Sequence, residues 1–92
     1  MSDTGLTEND LDVIVSAVAA FKSVQDLVLF GSRAKGSYKR GSDVDLALKG
    51  DELTYEDLVQ IELELNENRP LPYKFDVVDY HRLDNPELKS HI

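Results

Sequence analysis

Apolar and polar residues alternate along the chain with two different periods, one typical of helices and one typical of strands. Two stretches repeat apolar residues at helical spacing and predict amphipathic helices. These residues are Leu11, Ile14, Val15, Val18 and Phe21 in the first helix, expected to end near Lys22, and Leu58, Ile61 and Leu65 in the second, expected to reach about Asn68. Three shorter stretches rich in apolar and β-branched residues, 26–30, 43–48 and 73–79, predict strands.

Both predicted helices begin with the same capping pattern, a threonine followed three residues later by an aspartate. Thr7 is placed as the N-cap of the first helix, and Asp10 occupies the acidic position of a capping box. Leu6 and Leu11 are placed to form a hydrophobic staple around this cap. Residues 53–58 repeat the arrangement ahead of the second helix.

The remaining segments complete the predicted fold. Residues 69–72 contain two prolines and form a connector, because proline lacks an amide donor and constrains the residue before it. Asn85 and Pro86 predict a short C-terminal helix with Asn85 as its cap. Together the elements predict an α/β (strictly α+β) fold, a small mixed sheet with helices packed on one face and carboxylates on the open face. The sequence leaves the order and direction of the strands open.

The composition indicates one globular domain over residues 1–92, since 41% of the chain is hydrophobic and 30% is charged. The chain has no cysteine, which excludes disulfides, thiolate zinc sites and thiol nucleophiles and suits a reducing compartment. The first ten residues are polar and acidic, unlike a signal peptide, and no apolar run approaches membrane-spanning length. We therefore expect a soluble, cytoplasmic protein that does not engage a membrane.

Asp43 and Asp45 lie two residues apart in the second predicted strand, so their carboxylates project from the same face. The apolar residues between and after them face the opposite way, toward the core. Two adjacent carboxylates repel each other, and a divalent cation between them makes the arrangement favourable. Such a pair is also typical of a solvated strand end, so the surrounding residues must decide between the two interpretations.

The third predicted strand offers one more carboxylate. Phe75 and Val77 share one face there, and Asp76 points the opposite way. If the second and third strands are neighbours, Asp76 can join the first two carboxylates. Asp79 is the alternative, but the alternation places it on the core side or at the strand end, where a surface cap explains it more simply.

The segment between the first two strands combines glycine, serine and positive charge. Gly31 and Ser32 directly follow an apolar strand, where a sharp turn lets backbone N–H groups approach phosphate. A helical turn over residues 33–36 would add further free N–H groups. Although the net charge of the chain is -8, four of its ten basic residues lie here: Arg33, Lys35, Lys39 and Arg40. Taken singly, these features also fit an ordinary turn and a solvated loop.

Taken together, these residues resemble the signature of the DNA polymerase beta-like nucleotidyltransferase superfamily. The resemblance rests on Gly31-Ser32 with Ala34 and Gly36, followed by Ser42-Asp43-Val44-Asp45-Leu46. The size of the chain and its sequence motif GSRAKG…GSDVDL more closely resemble those of the minimal nucleotidyltransferases. These are small proteins paired with HEPN-domain partners in prokaryotic toxin–antitoxin modules. Members of that group usually continue past the C-terminal helix into a further apolar strand, which leaves open how the outer edge of the third strand is covered here.

The resemblance implies a polymerase beta palm-like fold and a site that holds two Mg²⁺ ions and a nucleoside triphosphate, with ATP expected. The implied catalytic and metal-binding residues are Asp43, Asp45 and Asp76. The implied triphosphate-binding residues are Gly31, Ser32, Arg33, Lys35 and Ser42. The expected reaction is transfer of a nucleoside monophosphate to a hydroxyl group, without a covalent enzyme intermediate.

The acceptor of the nucleotide is not specified by the motif. A template-directed polymerase needs further subdomains and a positive surface, and this small acidic chain argues against nucleic-acid binding. The resemblance implies instead a HEPN-domain toxin, bound in a hetero-oligomer and neutralised by transfer of AMP to a tyrosine. Two alternatives stay open: a binding-only antitoxin, and a small-molecule nucleotidyltransferase with a separate substrate subunit.

Overall fold

The computed structural model describes residues 4–36, 38–39, 41–69, 71–90 and 92. Its elements in chain order are α1 (Glu8–Ala19), β1 (Asp26–Phe30), α2 (Ser32–Lys35), β2 (Val44–Lys49), α3 (Tyr55–Leu63), a π-helical turn (Glu64–Asn68), β3 (Phe75–Asp79), a 3₁₀ turn (Tyr80–Arg82) and α4 (Pro86–Ser90). The predicted order of helices and strands is therefore confirmed. Among these described elements, no helix is long and apolar enough to cross a membrane.

The first helix is shorter than predicted, because it ends at Ala19 instead of near Lys22. The chain tightens beyond this point, where the Phe21 N–H donates a hydrogen bond to the Val18 carbonyl at 3.0 Å. Phe21 still packs against the hydrophobic core from this turn. The apolar periodicity thus continues past the residue at which the helical hydrogen bonds stop.

Both predicted capping boxes are confirmed. In α1 the Thr7 hydroxyl accepts from the Asp10 N–H at 3.0 Å, and the Asp10 carboxylate accepts from the Thr7 N–H at 3.0 Å. In α3 the same pair of bonds joins Thr54 and Asp57, at 3.1 and 3.2 Å. Each box satisfies two backbone donors that the first turn of a helix otherwise leaves unpaired.

The aspartates of the two boxes also join their helices to distant segments. Asp10 accepts a hydrogen bond from the Tyr73 hydroxyl at 2.8 Å, just ahead of β3. Asp57 accepts one from the Ser23 hydroxyl at 2.8 Å, just ahead of β1. Each carboxylate therefore fixes the start of its helix and the approach of a strand at the same time.

The sheet has the order β1-β2-β3, with β1 antiparallel to β2 and β2 parallel to β3. The predicted mixed sheet and α+β class are thereby confirmed. In the antiparallel pair Phe30 lies opposite Asp45, and in the parallel pair Asp45 lies opposite Asp76. The C-terminal end of β1 and the N-terminal ends of β2 and β3 consequently meet at one end of the sheet.

One face of the sheet forms the hydrophobic core with α1, α3 and the π-helical turn. The buried core side chains include Ile14, Ala17 and Val18 from α1, Ile61 from α3, Leu65 from the π-helical turn, and Val44, Leu46, Leu48, Phe75 and Val77 from the sheet. This arrangement confirms that the helices pack on one face. Burial of this much apolar surface is the main stabilising contribution in a domain of this size.

The opposite face of the sheet, which carries Asp45, is less open than the sequence indicates. Ala47 shares this face and is fully buried, and Phe30 beside Asp45 is 7% exposed. At the far end of β2 the Lys49 ammonium lies 4.5 Å from the centre of the Tyr80 ring, in the 3₁₀ turn. The Asp45 carboxylate therefore lies next to apolar side chains, which lowers the local dielectric response.

The outer edge of β3 is covered by side chains from α3 and the π-helical turn that follows it. The Asn66 amide donates to the Phe75 carbonyl at 3.1 Å, and its oxygen accepts from the Phe75 N–H at 2.8 Å. One turn earlier, the Glu62 carboxylate accepts from the Val77 N–H at 3.3 Å. These bonds replace those of a neighbouring strand, and they supply the edge cover that the sequence left open.

Candidate active site

Gly31 connects β1 to α2 in a conformation that only glycine adopts readily. Its φ is 78° and its ψ is -155°. A Cβ atom at this position would also collide with the Oδ2 atom of Asp45 and lie 3.2 Å from its Cγ. Backbone conformation and lack of space therefore both require glycine, and the turn lies directly against the Asp45 carboxylate.

Helix α2 is a single turn that follows this glycine. The Lys35 N–H donates to the Gly31 carbonyl at 3.2 Å, and Gly36 ends the turn in the left-handed conformation with φ 75°. No side chain among the described residues caps the start of α2. Ser32 is half-buried at the first position and Lys35 is exposed at the last. The turn predicted from residues 33–36 is thus present and begins one residue earlier.

The three predicted carboxylates lie at the same end of the sheet. Asp45 faces Asp76 across the parallel pair, and Asp43 directly precedes β2. Burial raises the pKa of Asp45 above its ordinary value, and the negative charges of Asp76 and Asp43 raise this pKa further. Within the described part of the chain, no hydrogen bond or ion pair compensates these three charges.

This donor set fits a divalent cation chemically. Carboxylate oxygens are the ligands that Mg²⁺ prefers, and a cation among them would offset both causes of the raised Asp45 pKa, burial first and then repulsion by Asp76 and Asp43. As the side chains stand, no group of three acidic or histidine residues in the described ranges is close enough together to hold a metal ion. The carboxylates would therefore have to move closer together around the ion.

The phasing predicted for β3 agrees with the observed burial. Phe75 and Val77 are buried, and Asp76 between them is exposed. Asp79 is 6% exposed at the strand end, where its carboxylate accepts from the His81 N–H at 3.0 Å and lies 3.5 Å from Arg82 Nε. Asp79 thus caps the 3₁₀ turn and lies away from the carboxylate group.

Arg33 is the predicted site residue whose surroundings differ most from the expectation. Its side chain is buried, with 4% exposure. Its Nε and Nη2 both donate to the Ser42 carbonyl, at 3.2 and 3.0 Å, and its Nη1 donates to the Thr4 carbonyl at 2.8 Å. The guanidinium also lies 4.9 Å from the Tyr38 ring centre and 5.0 Å from the Tyr73 ring centre. No spacing pattern in the sequence connects these two tyrosines to Arg33, so sequence reasoning alone does not identify them.

The remaining predicted residues lie along the loop from α2 to β2. Ser42 is half-buried, and its hydroxyl accepts from the Lys39 N–H at 2.8 Å. Lys39 itself is exposed. Arg40, the fourth basic residue of this segment, lies outside the described residues. The structure therefore brings Gly31 together with the carboxylates and places Lys35 and Lys39 on the surface.

Comparison with known families agrees with this geometry. The model of the family "Polymerase beta, Nucleotidyltransferase" matches residues 12–92. The match includes most of α1 and every element after it, and thus the whole carboxylate end of the sheet. No curated protein gives a significant match to the chain.

Proposed function

Because the chain belongs to the polymerase beta nucleotidyltransferase family, we propose that it is a Mg²⁺-dependent enzyme that transfers a nucleoside monophosphate, AMP from ATP, to a hydroxyl group and releases pyrophosphate. The observation that carries this proposal is the meeting of Asp45 and Asp76 in register, with Gly31 pressed against Asp45. A site of this kind combines a close backbone turn for phosphate with carboxylates for a divalent cation.

The residues have separate roles in this proposal. Asp43, Asp45 and Asp76 would hold two Mg²⁺ ions, which when bound lower the pKa of the acceptor hydroxyl and neutralise charge on the phosphates. The backbone of Gly31 and the hydroxyl of Ser32 bind the triphosphate next to these carboxylates.

The positive charge of the loop completes the triphosphate site in the proposal. Lys35 is exposed and can reach the phosphates, and Ser42 lies directly ahead of the carboxylates. Asp76 is the most exposed of the three carboxylates, so its side-chain oxygens can accept the proton of the attacking hydroxyl.

For the acceptor we propose a tyrosine hydroxyl of a HEPN-domain toxin, so that the protein acts as a cytoplasmic antitoxin within a hetero-oligomer. The similarity of GSRAKG…GSDVDL to the minimal nucleotidyltransferases supports this acceptor. An apolar stripe on α3 is compatible with a protein partner, since Tyr55, Val59 and Leu63 are 69%, 45% and 47% exposed.

Label transfer tests the acceptor. The purified protein is incubated with Mg²⁺, a lysate of its source cells and ATP labelled at the α or the γ phosphorus. We expect label from α-ATP alone on one protein, and mass spectrometry of that protein should find AMP on a tyrosine. Label from γ-ATP would indicate a kinase and contradict the proposal. Bound ATP without labelled protein would favour a small-molecule acceptor or a binding-only antitoxin.

A further inference from the structure

Arg33 is a buried charge, whereas Lys35 and Lys39, the other basic residues of this segment that the structure describes, are exposed. Burying a guanidinium is costly unless acceptors compensate for the lost water. Here two backbone carbonyls and two tyrosine rings supply that compensation, and no carboxylate among the described residues lies within ion-pair distance. The side chain is therefore held in a structural environment that leaves it little freedom to follow a ligand.

The position of this arginine connects the two halves of the site. Arg33 follows the Gly31-Ser32 turn in α2, and Ser42, whose carbonyl it binds, directly precedes Asp43. One side chain thus joins α2 to the residue that precedes Asp43. Because Nε and Nη2 donate to the same oxygen, the guanidinium plane and the carbonyl are fixed relative to each other.

The rings of Tyr38 and Tyr73 and the Thr4 carbonyl make the remaining contacts with the guanidinium. Tyr73 leads into β3, the strand of Asp76, and its hydroxyl is bound to Asp10 of α1. The contacts of Arg33 therefore reach the lead-in to α1, the loop ahead of β2 and the lead-in to β3. All of these segments adjoin the carboxylate end of the sheet.

We propose that Arg33 is a positioning residue that fixes Asp43 relative to the Gly31-Ser32 turn and does not itself contact the triphosphate. This inference rests on the proposed function, and it replaces the expectation that Arg33 is a triphosphate ligand. The arrangement requires arginine, because the planar guanidinium donates from two nitrogens to one carbonyl and also contacts two aromatic rings, which a lysine ammonium cannot reproduce.

Three measurements on Arg33→Lys and Arg33→Ala separate positioning from phosphate binding. They are amide hydrogen exchange of residues 36–44, Mn²⁺ affinity without nucleotide, and the kcat and KM for ATP. We expect faster exchange, Mn²⁺ affinity weaker by about fivefold or more, and kcat lower by about tenfold at an ATP KM within about twofold of the wild type. Lys22→Ala, on the exposed surface beyond α1, is the neutral control.

Lys35→Ala provides the contrasting variant. Lys35 lies on the same helical turn and is exposed, so its loss should raise the KM for ATP and leave nucleotide-free Mn²⁺ affinity unchanged. If Arg33→Ala behaved in this way and Arg33→Lys were close to the wild type, Arg33 would be a phosphate ligand and the inference would be overturned, since lysine also binds phosphate. Faster exchange with unchanged Mn²⁺ affinity would indicate a merely structural arginine and would overturn it as well.

A second variant keeps the test valid if the Arg33 variants fail to fold. Tyr38→Leu removes one of the stacking rings and leaves the arginine in place. Tyr38→Leu should weaken Mn²⁺ binding, as the Arg33 variants should. An unchanged Mn²⁺ affinity would contradict the inference. A wild-type protein that binds Mn²⁺ but transfers no nucleotide would contradict the proposed function and not the role of Arg33. The Mn²⁺ affinities of the Arg33 and Tyr38 variants would then test that role by themselves.

Discussion

Gly31 and Asp45 are so close that a Cβ atom on the glycine would collide with the Asp45 carboxylate oxygen. The two residues belong to different parts of the sequence motif, the turn after β1 and the strand β2. Their contact shows that the glycine has a role beyond permitting a turn. The absence of a side chain at Gly31 lets the backbone beside the proposed phosphate site lie against Asp45, which we propose as a metal ligand.

Replacing Gly31 with alanine should therefore displace Asp45. The positive φ alone should cost about 1–3 kcal/mol of unfolding free energy. The collision should additionally lower nucleotide transfer by at least about tenfold. Urea unfolding and label transfer measure the two effects separately.

Gly41→Ala is the matched control for this substitution. Gly41 also has a positive φ, of 85°, but a Cβ there meets no atom of the described residues within 4 Å. We expect Gly41→Ala to lose stability through backbone strain and to keep its transfer rate. Equal losses of activity in the two variants would show that strain, and not contact with Asp45, explains the glycine.

The lowered pKa of Asp10 makes the stability of the protein depend on pH. The Thr7 N–H, more than any other group, lowers the pKa of Asp10, although burial partly opposes it. A carboxyl with a lowered pKa in the folded state stabilises the protein above the pKa of the unfolded chain, near 4, and this contribution is lost as pH falls through the folded pKa. Asp10→Asn should cost about 1–2 kcal/mol at pH 7.

The cost of Asp10→Asn should shrink as the pH falls below about 4, because the wild-type carboxyl then becomes neutral as well. Asp12→Asn, at an exposed position of the same helix, should change stability little at either pH. Thermal denaturation at a series of pH values measures both. A cost for Asp10→Asn that stays constant down to pH 2 would contradict the assignment of its charge to the helix cap.

The features that the sequence predicted depend on residues close together in the chain. Thr7 and Asp10 form their cap within one turn, and the alternation of Phe75, Asp76 and Val77 follows from the strand period alone. Such local rules also place Asp45 on the face away from the core. They predicted which way Asp43, Asp45 and Asp76 project, and the resemblance to the nucleotidyltransferases then selected these three carboxylates as site residues.

The features that the sequence did not predict depend on contacts between distant segments. Arg33 binds a carbonyl 29 residues away at Thr4. Asn66, in the π-helical turn, binds the backbone of Phe75, which lies nine residues further along the chain. The antiparallel and parallel pairings of β2 likewise depend on the packing of the whole chain. Local periodicity carries no information about these partners.

Asn66 should contribute more to stability than its exposed position indicates. Asn66→Ala removes two hydrogen bonds to the outer edge of β3 and leaves the Phe75 N–H and carbonyl without a protein partner. We expect a loss of about 1–3 kcal/mol in unfolding free energy. Asn68→Ala removes only an exposed bond to Glu64 and should cost less than about 0.5 kcal/mol. Equal costs would contradict the role of Asn66 in covering the edge.

The assignment of the third carboxylate predicts opposite effects for Asp76 and Asp79. Asp76→Asn should lower the transfer rate by at least about a hundredfold and leave the unfolding free energy nearly unchanged, because the side chain is exposed. Asp79→Asn should keep the transfer rate and lose about 1 kcal/mol of stability, because it weakens a cap and an ion pair. The reverse result would mean that Asp79 is the catalytic residue.

The most direct test of nucleotidyl transfer at these carboxylates is the Mg²⁺-dependent rate of α-label transfer for the wild type, Asp45→Asn and the exposed control Asp51→Asn. We expect transfer by the wild type and by Asp51→Asn, and a rate lower by at least about a hundredfold for Asp45→Asn. The melting temperature of Asp45→Asn should be unchanged or higher, because burial and the neighbouring charges raise the pKa of Asp45 and so destabilise its ionised form. An Asp45→Asn protein with the wild-type rate would contradict the account.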